Sequence, residues 1–172
     1  MKKLAILLIA VFILLTNCKG KNKTNVYHTK EGKITVSESK EGDVKEMTLE
    51  NKEGTATIKT AKGEIPKDLG VPIYPGASAE EGGTLSMSGT KGGKAGGFSS
   101  TFLKTEDDID KVIEFYKKEL PDAEFYEMTT PNGKMASFAL GKDTPVKTTV
   151  MLSQNTDEKG TNIHISKVKE AE

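Results

Sequence analysis

A chain of 172 residues with 25 lysines against 25 acidic side chains carries no net charge with which to hold a polyanion. The absence of arginine also removes the planar two-pronged grip on phosphate, so nucleic-acid binding is disfavoured. One cysteine permits no internal disulfide, and ten Phe and Tyr residues with no Trp must supply all aromatic packing.

The chain opens with Lys2 and Lys3, followed by an unbroken apolar run from Leu4 to Leu15 that stops at Thr16, Asn17 and Cys18. A short basic start, an apolar stretch and a defined end make residues 1–17 a secretory signal peptide. As a helix the run would rise about 18 Å, too short for the roughly 30 Å of bilayer hydrocarbon, so a permanent span is not expected. Its removal leaves 155 residues, with 23 lysines against 25 acids, enough for one domain of ordinary size.

Leu15 to Cys18, with the only cysteine abutting the end of the apolar run, resembles the lipobox of bacterial lipoproteins. In that family the cysteine sulfur receives diacylglycerol, the peptide is cut just before it, and the new amino terminus is usually acylated as well, commonly with palmitate. The position before the cysteine is normally Gly, Ala or Ser in the family and is Asn17 here. The resemblance implies that Cys18 is a lipid-attachment site and that the protein is held in the cell envelope by a membrane anchor. Lys19, where enteric-type sorting would read Asp as a retention signal, implies the outer membrane, with the outer face of the cytoplasmic membrane as the alternative.

Residues 18–25 (CKGKNKTN) form the lipidated cysteine and a polar, lysine-rich tether without periodicity. From residue 26 to residue 65, Gly32, Gly42, Gly54 and Gly63 punctuate the chain about every ten residues. Alternation between them pairs Ile34 with Val36, Met47 with Leu49, and Ala56 with Ile58 on single faces. The pattern predicts a small antiparallel β-meander with one weakly apolar side, docked on the C-terminal domain; a short stack of solenoid coils is the alternative.

Residues 66–83 are a Pro/Gly connector in which Pro72 and Pro75 stiffen the chain and Val71, Ile73 and Tyr74 press it against a sheet. Seven glycines between Glu80 and Gly97 predict a mobile hairpin or loop, and neither the dinucleotide nor the Walker spacing occurs among them. Phe98 to Lys104 reads as a strand, with Phe98, Ser100 and Phe102 on one face and Leu103 on the other. Thr105 then caps a helix, in a capping box with Asp108, whose face is Ile109, Val112, Ile113, Tyr116 and Leu120 and which Pro121 stops. Four strands come after it: Ala123 to Met128, Met135 to Leu140, Val146 to Ser153 and Thr161 to Val168. Their core face carries Phe125, Phe138, Leu140, Val150, Leu152, Ile163 and Ile165. The fold class is therefore α+β, an N-terminal antiparallel meander followed by a β-β-α-β-β-β-β module over residues 84–172 with one helix packed on an antiparallel sheet.

GVPIYPGA (Gly70 to Ala77), the strand near Phe102 and the helix ending FYKKEL (Phe115 to Leu120) together resemble a family of uncharacterised bacterial lipoproteins and secreted proteins. These motifs are structural. The resemblance implies a fold and a compartment, and no catalytic or binding residue.

The chemistry-bearing residues give no catalytic or metal constellation. His28 and His164 lie in different regions, with no free cysteine as a third zinc ligand, and His164 alternates with Ile163 and Ile165 and so points to solvent. Glu106 to Asp110 serve the helix start. The NTDEKG run from Asn155 is a poor calcium loop, with Lys159 at position five and Ser166 at position twelve where a glutamate is needed. Ser-x-x-Lys occurs at Ser37 and Ser88, outside any helix start. No catalytic, cofactor-binding or metal residue is assigned and no cofactor is expected. The expected role is a non-catalytic interaction or structural one, with envelope proteins as partners. The alternatives are a carrier holding a small apolar molecule near Tyr116, Phe102 and Leu152, and an enzyme in which two or more of His28, His164, Tyr74 and the acids converge.

Overall fold

The computed structural model describes residues 23–39, 44–63, 65, 66 and 68–171. The signal peptide, Cys18 and the turn at Gly42 lie outside them. The elements are β1 (Lys23–His28), β2 (Gly32–Glu38), β3 (Val44–Asn51), β4 (Gly54–Ala61), β5 (Ser78–Lys91), β6 (Lys94–Thr105), α1 (Ile109–Glu119), β7 (Glu124–Thr130), β8 (Gly133–Leu140), β9 (Val146–Asn155) and β10 (Thr161–Lys169). They form an α+β fold built on one ten-stranded sheet in the order β1-β2-β3-β4-β5-β6-β10-β9-β8-β7. Each neighbouring pair is antiparallel.

Local chemistry sets the hairpins. Asn51 Oδ1 accepts from the amides of Glu53 and Gly54 at 2.8 and 3.0 Å, which closes the β3–β4 turn. Gly92 and Gly93 sit at φ 60° and 82°, the pair of left-handed residues that a two-residue hairpin between long strands demands. The glycine-rich segment is thus part of the β5–β6 hairpin, with Gly92 and Gly93 at its tip and Gly89, Gly96 and Gly97 paired in its arms. The N-terminal region is a meander and not a stack of coils, and it is joined to the module edge to edge through the β4–β5 pairing. Two boundaries move: β1 takes in Lys23 to Asn25 from the tether, and β5 starts at Ser78, inside the connector, with a register shift between Ala79 and Thr84.

Among the described residues, the only step between strands that are not neighbours in the sheet is β6-α1-β7, which carries the chain to the far edge so that β7 to β10 return strand by strand to β6. α1 lies on one face of this half. Ile109, Val112, Ile113, Tyr116 and Leu120 are buried against Leu103, Ala136, Phe138, Val150, Leu152, Ile163 and Ile165, and Leu69 and Tyr74 of the connector complete the core. Val71 and Ile73 pack against it as expected.

Asp108, not Thr105, caps the helix: its backbone is extended and its Oδ1 accepts from the amide of Asp110 at 2.9 Å. Both residue types cap well, but Thr105 is still paired with Thr161 in the sheet, and no helix can begin until the chain clears that pairing. Gln154 Oε1 adds a second acceptor at the helix start, 3.2 Å from the amide of Ile109. Phe125, expected in the core, is 38% exposed because β7 is the edge strand; its ring leans on Phe138 at 4.9 Å and Lys117 Nζ covers it at 4.1 Å.

The face bearing α1 changes character across the sheet. Over β1 to β5 it is lined by hydroxyls and charges: Thr24 bonds Ser37 at 3.2 Å, Thr48 bonds Thr57 at 3.2 Å, and Lys33 pairs with Glu50 at 3.4 Å. Most apolar residues of the meander lie on the opposite face, with Val26 and Ala61 on this one.

Candidate interaction face

Side chains of paired residues project to the same side of a sheet, so the register assigns every residue to a face. Two apolar rows cross the meander on the face away from α1. Tyr27, Ile34, Leu49 and Ala56 form one, and Val36, Met47, Ile58, Met87, Phe98 and Val168 form the other. On the other half of the same face, Phe102 stands beside His164, His164 opposite Met151, and Met128 opposite Met135. All five methionines of the described residues, Met47, Met87, Met128, Met135 and Met151, are thus on this one face. Four of them are 40% exposed or more. Unbranched thioether side chains adapt their shape to what they touch, and a methionine-lined surface suits contact with a partner.

At the centre of the C-terminal half, the ring of His164 stacks on Phe102 with centroids 4.4 Å apart and planes 2° apart. Ser100 Oγ lies 2.7 Å from His164 Nε2. His164 is half-buried between them, and not simply turned to solvent as its alternation with Ile163 and Ile165 suggests. The desolvation lowers its pKa below the ordinary 6.5. A folded state that keeps imidazole neutral binds fewer protons than the unfolded chain. The contribution to stability is present above the unfolded value of 6.5 and is lost as pH falls through it, levelling off below the lower folded value. His164→Gln is accordingly expected to shrink the fall in melting temperature between about pH 7.5 and about pH 5.5. Equal falls in variant and wild type would refute it.

The other polar residues singled out by the sequence are engaged elsewhere. Tyr74, 5% exposed, packs edge-on to Phe115 at 5.2 Å and donates its hydroxyl to Asp107 Oδ2 at 2.7 Å. Burial first, then that carboxylate, push the phenol up to about 12. Asp107 also accepts from Lys111 Nζ at 2.8 Å, and Lys111 and Tyr74 hold its carboxyl below the usual range. Asp110 pairs with Lys134, which also bridges Glu127 at 2.7 Å; the two carboxylates push the lysine up to about 12. His28 is exposed on β1, the edge strand at the end of the sheet away from β7. His28, His164 and Tyr74 are therefore not brought together: Tyr74 is under the helix and His164 is on the opposite face. Nor do Tyr116, Phe102 and Leu152 line one cavity: Phe102 and Leu152 both border a depression on the face away from α1, but Tyr116 is fully buried beneath the helix and does not.

Among the described residues, no three His, Cys, Asp or Glu side chains converge to hold a metal ion. Also among them, no helix is long and apolar enough to cross a membrane. Comparison with protein-family models, curated proteins and solved structures finds no match. The Met-lined face is not visible in the sequence because it depends on the phase of alternation being carried across each hairpin. The spacing of Met47, Met87, Met128, Met135 and Met151 contains no such signal.

Proposed function

We propose that this chain is a lipid-anchored cell-envelope protein that works by contact with other envelope proteins and not by catalysis. The reading rests on one observation, a methionine-lined face with four methionines 40% exposed or more, on a sheet whose edge strands among the described residues, β1 and β7, carry neither proline nor bulge. Natural sheets blunt such edges unless a partner uses them, and strand addition at β1 or β7 would place that partner beside the apolar face. The basic, apolar amino terminus and Cys18 support the anchor.

The test is photo-crosslinking in intact cells from single positions. A crosslinker at Met87 or Tyr126 is expected to give discrete protein adducts, while one at Glu114, exposed on α1, gives none. Equal labelling from the helix would refute an interaction face. For the anchor, Cys18→Ser is expected to move the protein from the membrane to the soluble fraction, and undiminished membrane retention would count against lipid attachment.

A further inference from the structure

The methionine-lined face has one region with a different chemistry from the rest. Phe102, Met135, Met151, Ser153, Asn162 and His164 border an open depression of about 220 Å³ on the C-terminal half. Its donor atoms are an imidazole nitrogen, two thioether sulfurs, a hydroxyl and an amide, with no carboxylate and no thiol on its wall. Hard divalent ions require oxygen anions, and structural zinc takes thiolates and imidazoles; a thioether and imidazole set instead selects a soft ion of low charge.

The register places these donors together. His164 and Met151 are direct cross-strand partners between β10 and β9, so their Cβ atoms are about 5 Å apart. Met135 is opposite Ser153, two residues along from Met151 on the same face, which makes it a diagonal neighbour within reach of a long side chain. Met128 stands opposite Met135 on the edge strand. His164 is also held as a metal-binding histidine is held: Phe102 fixes the plane of its ring and Ser100 engages Nε2 at 2.7 Å. If Nε2 carries the proton and donates to Ser100 Oγ, Nδ1 keeps a free lone pair.

We infer that this depression is a binding site for monovalent copper, with His164 Nδ1 and Met151 Sδ as the principal ligands and Met135 Sδ as the third. Ser100 acts as a positioning residue that sets the tautomer of His164. The folded domain alone builds the site, so it does not depend on Cys18 or on a protein partner. The Met47 and Met87 region of the same face has no histidine among its cross-strand neighbours and takes no part.

The experiment uses the full chain purified in detergent and titrated with silver(I), a redox-inert probe, while the methionine methyl resonances are followed. Copper(I) affinity is measured separately under reductant against a chromophoric chelator. Saturation at one ion per chain is expected, with shifts confined to Met135, Met151 and their neighbour Met128. Met151→Leu and His164→Phe should each abolish chelator competition, and Ser100→Ala should weaken it about 10-fold. Met87→Leu should leave it unchanged. Leucine conserves the volume of methionine, so loss of folding does not confuse the result, and an unaltered melting curve checks this. Shifts spread over all five methionines, no saturable binding, or wild-type affinity in Met151→Leu would each overturn the assignment.

Discussion

Phe138→Ala is expected to cost about 3–5 kcal/mol, a large part of the total stability of a domain of this size. Phe138 is 1% exposed on β8 and touches Tyr116 of α1, at 5.8 Å between ring centroids, and Phe125 of β7. Removing it opens a cavity between a helix and a sheet that are both held by backbone hydrogen bonds and cannot close over it. The effect is amplified by the distribution of apolar burial: among the described residues the hydrophobic core lies under α1 and the connector, and its buried members all come from the connector, α1 and strands β6 and β8 to β10, not from the meander. Met87→Ala, at a side chain 45% exposed on the other face, should cost under about 1 kcal/mol. Urea denaturation of both variants checks this, and comparable losses would mean that stability is spread evenly over the sheet.

Gly160→Ala is the second large effect expected, at about 2–4 kcal/mol. Gly160 leads into β10 at φ 84°, a left-handed conformation that disfavours any residue with a Cβ. A Cβ there would also lie 2.2 Å from the carbonyl oxygen of Thr105 and 3.1 Å from Cα of Glu106. Both are backbone atoms and neither can rotate away. This close approach lets the segment before α1 fold over β10, where Thr161 Oγ1 donates to the carbonyl of Asp107 at 2.8 Å. Glycine at the exposed turn position 63, with nothing within 4 Å of a Cβ, gives the comparison: Gly63→Ala carries the left-handed strain without the clash. A smaller loss of melting temperature at Gly63 than at Gly160 is expected, and equal losses would remove the steric argument.

Much of the C-terminal module is legible from periodicity. The helix face of Ile109, Val112, Ile113, Tyr116 and Leu120, the four strands after it and the core residues Phe138, Val150, Leu152, Ile163 and Ile165 follow from spacings of three to four and of two. Alternation cannot say which side of a strand a helix will cover. In β6 both sides carry apolar residues, Phe98 and Phe102 on one and Leu103 on the other. The choice is made by the partner strand, since β10 places Ile163 and Ile165 beside Leu103, and His164 beside Phe102. The helix starts later than its capping residues suggest for a related reason, because Thr105 is held in the sheet by Thr161, 56 positions away. The contact between Ser100 and His164, 64 positions apart, is likewise a product of register and has no local signature.

The order of strands in the sheet also sets how the molecule takes a load. Among the described residues β1 is the first strand and lies at one end of the sheet, so a pull on its amino-terminal end, across the strands, strips it from β2 one cross-strand pair at a time, and then β2 from β3. This peeling runs through β4 before it meets the connector, whose Leu69 and Tyr74 are locked into the helix-covered core. Residues 23–61 would by then have paid out roughly 130 Å of extended chain, at about 3.4 Å per residue. The meander is thus a tear-away spring in front of a firm block, yielding at low force and sparing the part that is costly to refold.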